Sequence, residues 1–313
     1  MDAGEVRRAA VIGAGTMGHA IAQVFAQAGI ETSLVDLNEE ALSKAADKMA
    51  ANLGVLADSG LANRDEIESI IARVHPSTDL AGSSADADFV VEAVSEVPEV
   101  KQEVFAQLGK ACRAETVIAS NTSGLDIFEF AELENPERLI IAHWFAPPHI
   151  IPLVEVVPGP DTAPEVVDFT MSLMERLGKV PVKLQAFTRA FIVNKIQNMI
   201  ALAVSDLLNS GVATPEDIDK AVKYSLGVRL PVVGVVQTMD FTGLDLVLDI
   251  ARSYGMGNTI IEEKVVRGHL GVKTSRGFYD YGGRSELEIL DKRDRLYLKM
   301  LAYLESAGTF EPV

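Results

Sequence analysis

The side chains best suited to proton chemistry lie at separated places in this sequence. His143 ends the apolar run Leu139-Ile-Ile-Ala-His143, and Glu155 interrupts another, Leu153-Val-Glu155-Val-Val157. An ionised carboxylate inside such a run is costly unless partnered, so Glu155 requires a companion. A neutral imidazole titrating near physiological pH is suited to take up a proton and return it. Ser123, in Ser120-Asn-Thr-Ser123, lies just past the end of an apolar run, and Asn194, in Phe191-Ile-Val-Asn194, interrupts an apolar face. The other histidines lack such a setting: His19 follows a Gly-rich turn, His149 sits in Pro147-Pro-His149, and His75 and His269 carry no pattern. No histidines and carboxylates show metal-ligand spacing, so no catalytic metal is expected.

A second constellation, Val11-Ile-Gly13-Ala-Gly15-Thr16-Met17-Gly18, has the spacing G-x-G-x-x-G. It follows a β-branched run and opens a helical pattern, and a second run, Thr32-Ser-Leu-Val-Asp36, ends in an acid. That context makes it a dinucleotide-binding fingerprint. Gly13 permits the tight turn, Gly15 admits a pyrophosphate against the backbone, and Gly18 lets the helix pack on the sheet. Backbone N–H groups from Gly15 through Gly18 and the helix dipole then face the phosphates. Asp36 is placed to accept from the ribose hydroxyls and to repel a 2′-phosphate. Leu37 and Asn38 follow it, with no adjacent arginine, so NAD is expected rather than NADP.

A sheet is needed to gather these groups. Strands are predicted over Ala9 to Ile12, Thr32 to Asp36, Phe89 to Glu92, Thr116 to Ser120, Leu139 to His143, Leu153 to Val157 and Val180 to Lys183. Helices are predicted over Gly18 to Ala28 and Glu39 to Leu56. Apolar strands alternating with helices imply βαβ units and a mainly parallel sheet, with an antiparallel continuation expected among the last, closely spaced strands. After Leu184 the pattern turns helical: Ala190 to Leu208, then a helix capped by Thr214 with Pro215 at its first position, and others from about Asp240 and Leu287. The expected fold is α/β, an N-terminal Rossmann-like doubly wound sheet over residues 1–185 followed by an all-helical C-terminal domain over 186–313.

Composition narrows the class. The apolar fraction of 48% supports substantial cores, and the net charge of −17 gives no basic footprint for nucleic acid. Apolar stretches are broken well before the roughly 18 residues of a membrane helix. Cys112, the only cysteine, can form no disulfide within the chain and reads as a small apolar residue near a helix end. The N-terminus has no signal-peptide pattern, so a cytoplasmic protein is expected.

Taken in order, the Gly-rich start, Phe89-Val-Val-Glu-Ala, Ala119-Ser-Asn-Thr-Ser123, the His143 to Glu155 segment, Phe191-Ile-Val-Asn194 and Gly271-Val-Lys-Thr-Ser-Arg-Gly-Phe-Tyr resemble the 3-hydroxyacyl-CoA dehydrogenase family over nearly the whole chain. The resemblance implies NAD-dependent hydride exchange at a C3 hydroxyl. His143 matches the family's general base, Glu155 its orienting carboxylate, and Ser123 and Asn194 its substrate-holding residues. Glu96 and Lys101 match positions near the cofactor ribose and nicotinamide, and Lys273 a cofactor-contacting lysine. A homodimer formed through the helical domain is also implied.

The sequence departs from the family around the substrate. Ala146 stands where an asparagine usually follows His-Phe-Phe, Arg189-Ala190 replaces Pro-Gly, and Gly234-Val235-Val236 replaces Gly-Pro-Phe. The family's CoA-contacting serine and lysine fall near Asn52 and Ser59, leaving Leu53 to Gly60 without a cation. The segment Pro147 to Val156 also looks like relatives acting on small free hydroxy acids, such as gulonate dehydrogenase, or on pyridine carboxylates. Two substrate classes therefore stand: an L-3-hydroxyacyl-CoA, or a short polar hydroxy acid held by Arg189 or Lys195. A third reading is a catalytically silent NAD-binding protein like the lambda-crystallins.

Overall fold

The computed structural model describes residues 2–311. Residues up to Met199 form one compact unit and those from Ile200 a second. The first is built on strands β1 (Arg8–Ile12), β2 (Glu31–Val35), β3 (Val74–Ser77), β4 (Phe89–Glu92), β5 (Val117–Ser120), β6 (Leu139–Trp144), β7 (Leu153–Pro158) and β8 (Val180–Lys183). They form a single sheet in the order β3-β2-β1-β4-β5-β6-β7-β8. Neighbours run parallel except β6 and β7.

Helices α1 (Gly18–Gln27), α2 (Glu39–Asp58), α3 (Ile67–Ala72), α4 (Leu80–Ser84), α5 (Pro98–Ala111) and α6 (Pro164–Arg176) connect the strands. Alternate residues of one strand feed two different cores. Ala9, Val11, Phe89 and Val91 pack with Phe25 of α1, Leu53 of α2 and Phe169 of α6, whereas Ala10, Ile12 and Val90 pack with Phe105 and Leu108 of α5. Burial on both faces explains the near-continuous apolar strands. Each buried Val, Ile, Leu or Phe among them contributes about 1.5–3 kcal/mol by leaving water.

The second unit is helical, in α7 (Val193–Asn209, which begins in the first unit), α8 (Pro215–Tyr224), α9 (Leu226–Thr242), α10 (Leu244–Ser253), α11 (Thr259–Val266) and α12 (Glu286–Ser306). The Thr214 hydroxyl accepts from the Asp217 N–H at 3.1 Å, as its cap position predicts. The buried Asp240 carboxylate accepts from the N–H groups of Phe278 and Tyr279 and from the Tyr281 hydroxyl. A Cβ on Gly277 would fall 2.1 Å from that carboxylate, so packing against Asp240 accounts for the glycine. No single described helix is long and apolar enough to cross a membrane, although α9 and α10, bent by 84°, pass that test together by length and composition.

The structure corrects several sequence expectations. β3 was not foreseen: Val74-His-Pro-Ser has no apolar run, and its proline suits the sheet edge it occupies. β8 is parallel to β7 because the chain crosses over through α6; the antiparallel continuation is confined to β6–β7. The helix expected from Ala190 starts at Val193, since Ala190 and Phe191 are left-handed (φ 66° and 51°). Asp240 lies inside α9, and the next helix begins at Leu244.

Candidate active site

Strand order reverses between β1 and β4, and ligands of doubly wound sheets bind in the crevice outside that point. A cleft of about 550 Å³ opens there, lined by Gly13, Gly15, Asp36, Leu37, Val94 and Ser95 among others. Gly13 has φ 106°, and a Cβ on it would lie 2.5 Å from the Ala93 carbonyl. On Gly18 it would fall 1.6 Å from the Gly13 carbonyl, yet on Gly15 it would meet nothing within 4 Å. Gly13 and Gly18 thus shape the turn, and Gly15 leaves an open cradle. Gly15 and Thr16 are exposed, and no side chain caps α1, whose cap position is Met17. The first N–H groups of α1 therefore suit a pyrophosphate. Asp36 accepts from the Ala14 N–H at 2.7 Å and the Asn38 N–H at 2.8 Å, and has lone pairs left for ribose hydroxyls. These residues fit NAD.

The register of β6 against β7 sets His143 opposite Glu155 on one face. The ring Nδ1 lies 2.9 Å from Glu155 Oε2, with both side chains buried. Glu155 Oε1 accepts from the N–H groups of Ile192 and Val193, each at 2.9 Å, at the start of α7. The left-handed pair Ala190–Phe191 turns those donors toward it. Burial pushes the Glu155 carboxyl up, but the His143 hydrogen bond and the Val193 and Ile192 N–H groups outweigh it and hold it below the usual carboxylate range. As Glu155 only accepts, it fixes the proton on Nδ1 and leaves Nε2 as an acceptor. The rings of Phe145 (4.5 Å) and Phe191 (5.2 Å) flank the imidazole.

Asn194 follows Val193 directly, and its side-chain amide donates to the Ser123 carbonyl at 3.4 Å. Asn121 accepts from the Trp144 N–H at 2.8 Å, tying the segment after β5 to the strand that carries His143. Ser123, Asn194, Glu155 and His143 are thereby joined through short links in one region. Glu96 Oε1 accepts from the Thr122 hydroxyl (2.6 Å) and the Ser123 N–H (2.7 Å), and Glu96 Oε2 lies 3.2 Å from Lys101 Nζ. Burial raises the Glu96 carboxyl, but Thr122, Lys101 and Ser123 together bring it below its usual range.

Lys101, expected near a cofactor, is 1% exposed and donates to Glu92 at 2.7 Å, inside the protein. Lys273, in the second unit, donates to both oxygens of Asp245. Arg189 is exposed, and Lys195 donates to Thr188. Burial pushes the Cys112 thiol up to about 11 despite Arg113, which makes a thiolate nucleophile there unfavourable. Sequence reasoning passed over Glu92, Ser120 and Thr122, which belong to this region, although an acid closing the apolar run Phe89-Val-Val-Glu92 was a usable signal.

Residues 8–187 match the family profile described as 3-hydroxyacyl-CoA dehydrogenase, NAD binding domain, and residues 191–281 the corresponding C-terminal domain. The chain is 36% identical to 3-hydroxyadipyl-CoA dehydrogenase of Escherichia coli over 90% of its own length but only 60% of that protein's. It is 35% identical to a probable 3-hydroxybutyryl-CoA dehydrogenase of Bacillus subtilis (88% of this chain, 98% of that one). Identity to 5-formyl-3-hydroxy-2-methylpyridine 4-carboxylate 5-dehydrogenase of Mesorhizobium japonicum is 28% (96% and 99%). Among solved structures, a 3-hydroxyacyl-CoA dehydrogenase of Archaeoglobus fulgidus superposes with a TM-score of 0.79 at 28% identity, covering 96% of this chain and 99% of the other. With the nucleotide cleft and both profiles in agreement, the chain belongs to the 3-hydroxyacyl-CoA dehydrogenase family.

Proposed function

We propose that this protein is an NAD-dependent dehydrogenase acting on the C3 hydroxyl of an L-3-hydroxyacyl-CoA, with His143 as acid/base. The observation that carries the reading is the buried Nδ1 contact of His143 with Glu155, which leaves Nε2 able to accept a proton. Bound NAD supplies the hydride acceptor. His143 Nε2 takes the hydroxyl proton as the carbonyl forms, and Glu155 stays ionised beside the resulting imidazolium. Ser123 and Asn194 orient the substrate oxygens. Gly13, Gly15, Gly18 and Asp36 hold the dinucleotide, with the Thr16 and Met17 backbone, and Glu96 stands as a further cofactor position on the family resemblance.

A second substrate class is favoured by Asn52 and Arg189. Asn52 donates to Gln23 at 3.2 Å where the family would present a phosphate contact, and Arg189 offers an exposed cation next to the left-handed turn. A short free hydroxy acid with its carboxylate on Arg189 fits those features. NADH absorbance with 3-hydroxybutyryl-CoA and with 3-hydroxybutyrate decides between them, and turnover by the thioester alone removes the second class. His143→Ala should lower kcat by about 10²–10⁴-fold; unchanged turnover would remove His143 from its role and favour a silent NAD-binding protein.

We further propose a cytoplasmic homodimer. The dimer is supported by α7, none of whose residues is buried and which exposes Met199 and Leu202 at 64% and 63%. A monomer independent of concentration in analytical ultracentrifugation contradicts it, and cell fractionation tests the location.

A further inference from the structure

A closed circuit of polar side chains, buried except for Glu96, lies at the ends of β4 and β5. Glu92, 0% exposed, accepts at Oε1 from Lys101 Nζ (2.7 Å) and the Val94 N–H (2.8 Å), and at Oε2 from the Ser120 hydroxyl (2.5 Å). The Ser120 oxygen accepts from the Thr122 N–H (3.1 Å), and the Thr122 hydroxyl donates to Glu96 Oε1 (2.6 Å). The circuit closes where Glu96 Oε2 meets Lys101 at 3.2 Å. Two segments are thereby clamped together: the one after β4, which lines the nucleotide cleft at Val94 and Ser95, and the one after β5, which carries Ser123.

We infer that Glu92 is a positioning residue for Ser123. It touches neither cofactor cleft nor solvent, so its influence passes through other groups. Two acids share a single ammonium, and each member is over-determined: Lys101 by two carboxylates, Glu92 by three donors, Glu96 by three donors. Satisfied polar networks with a buried centre, here Glu92, Lys101, Ser120 and Thr122, admit few alternative geometries and hold a backbone more rigidly than single contacts do. The last link reaches the Ser123 N–H, held by Glu96 at 2.7 Å. Apolar packing cannot supply this placement, because Ser123 is exposed.

The inference rests on the proposed role of Ser123 in holding substrate, and a double-mutant cycle separates the two. Glu92→Gln, Ser123→Ala and the pair are assayed with NAD and the better of 3-hydroxybutyryl-CoA and 3-hydroxybutyrate. Glu92→Gln alone should lower kcat/KM about tenfold, whereas in the Ser123→Ala background it should change it less than about twofold. Multiplicative effects, or no effect of Glu92→Gln, overturn the positioning role, and a silent Ser123→Ala overturns the role of Ser123 itself. A merely structural defect would weaken both backgrounds equally. If Glu92→Gln does not fold, Ser120→Ala breaks the same circuit at a neutral link while keeping both ion pairs, and is run through the same cycle with the same outcomes.

Discussion

Glu155→Gln isolates the carboxylate's charge from its shape. Glu155 serves three donors: the His143 ring on Oε2, and the Ile192 and Val193 N–H groups on Oε1. A glutamine has one acceptor oxygen. If that oxygen faced the ring, the amide hydrogens would meet two backbone donors; if it faces the backbone, only one conflict remains, at the imidazole. The second orientation leaves fewer donors unpaired and should prevail. The ring then relieves the conflict by moving its proton to Nε2, the atom required to accept the substrate proton. We expect kcat to fall about 10²–10⁴-fold, with a stability loss of about 1–2 kcal/mol from exchanging charge-assisted bonds for neutral ones. Because the Glu155 carboxyl lies below its ordinary range in the fold, its ionisation adds stability above the unfolded value of about 4.3. That contribution disappears as pH falls through the lower folded value, and E155Q should show a shallower acid-side loss of stability. NADH absorbance gives kcat, thermal melts across pH give stability, and nitrogen chemical shifts of the imidazole report the tautomer. A variant with kcat within threefold of wild type, or with its proton still on Nδ1, refutes the reasoning.

The glycines of the nucleotide turn should separate by role. Gly15→Ala places its methyl in open space, so melting should stay within about 2 °C while the NAD Kd rises about tenfold or more by fluorescence titration. Gly18→Ala drives a methyl into the Gly13 carbonyl and should cost at least about 3 kcal/mol in denaturant unfolding. Asp36→Ala should lower kcat/KM for NAD about tenfold and narrow its advantage over NADP, while freeing the Ala14 N–H; an unchanged cofactor ratio counts against the ribose contact. Ala190→Gly relieves a left-handed alanine at some cost in unfolded-chain entropy, for a net gain of about 0.5 kcal/mol in chemical denaturation.

Strands buried on both faces, such as β4, β5 and β6, announced themselves as unbroken apolar runs, whereas β8, mostly exposed at the other edge, was legible only from its β-branched valines. β3 holds an edge position with a histidine and a proline, so nothing in Val74-His-Pro-Ser required burial. Within the site, the need of an acid in Leu153-Val-Glu155-Val-Val157 for a partner was legible, because desolvation makes that demand on any fold. Its second set of partners was not. Backbone N–H groups carry no sequence signature, and neither alanine nor phenylalanine signals the positive φ that aims them. Lys101 illustrates a different limit. Whether it reaches a ligand or a buried acid depends on how α5 packs against β4, a tertiary fact that the spacing from Glu92 leaves open.

In both polar clusters a carboxylate fastens the backbone at or beside a residue proposed to hold substrate. Glu155 takes the N–H of Val193, one residue before Asn194, and Glu96 takes that of Ser123. Charge-assisted bonds are roughly twice as strong as neutral ones, so these few contacts fix positions that apolar burial does not reach. Residues bordering the site, such as Ala146 and Arg189, are exposed and stand outside both clusters. They can therefore change the shape and charge offered to a substrate without disturbing the polar groups proposed to perform the chemistry. This division fits a chain that, by its resemblance to the family, differs at Ala146, Arg189 and Ala190 while Ser123, His143, Glu155 and Asn194 match the proposed roles. With Arg189 holding the substrate as proposed, exchanging it should alter which acid or thioester is used far more than it alters the rate of the chemical step.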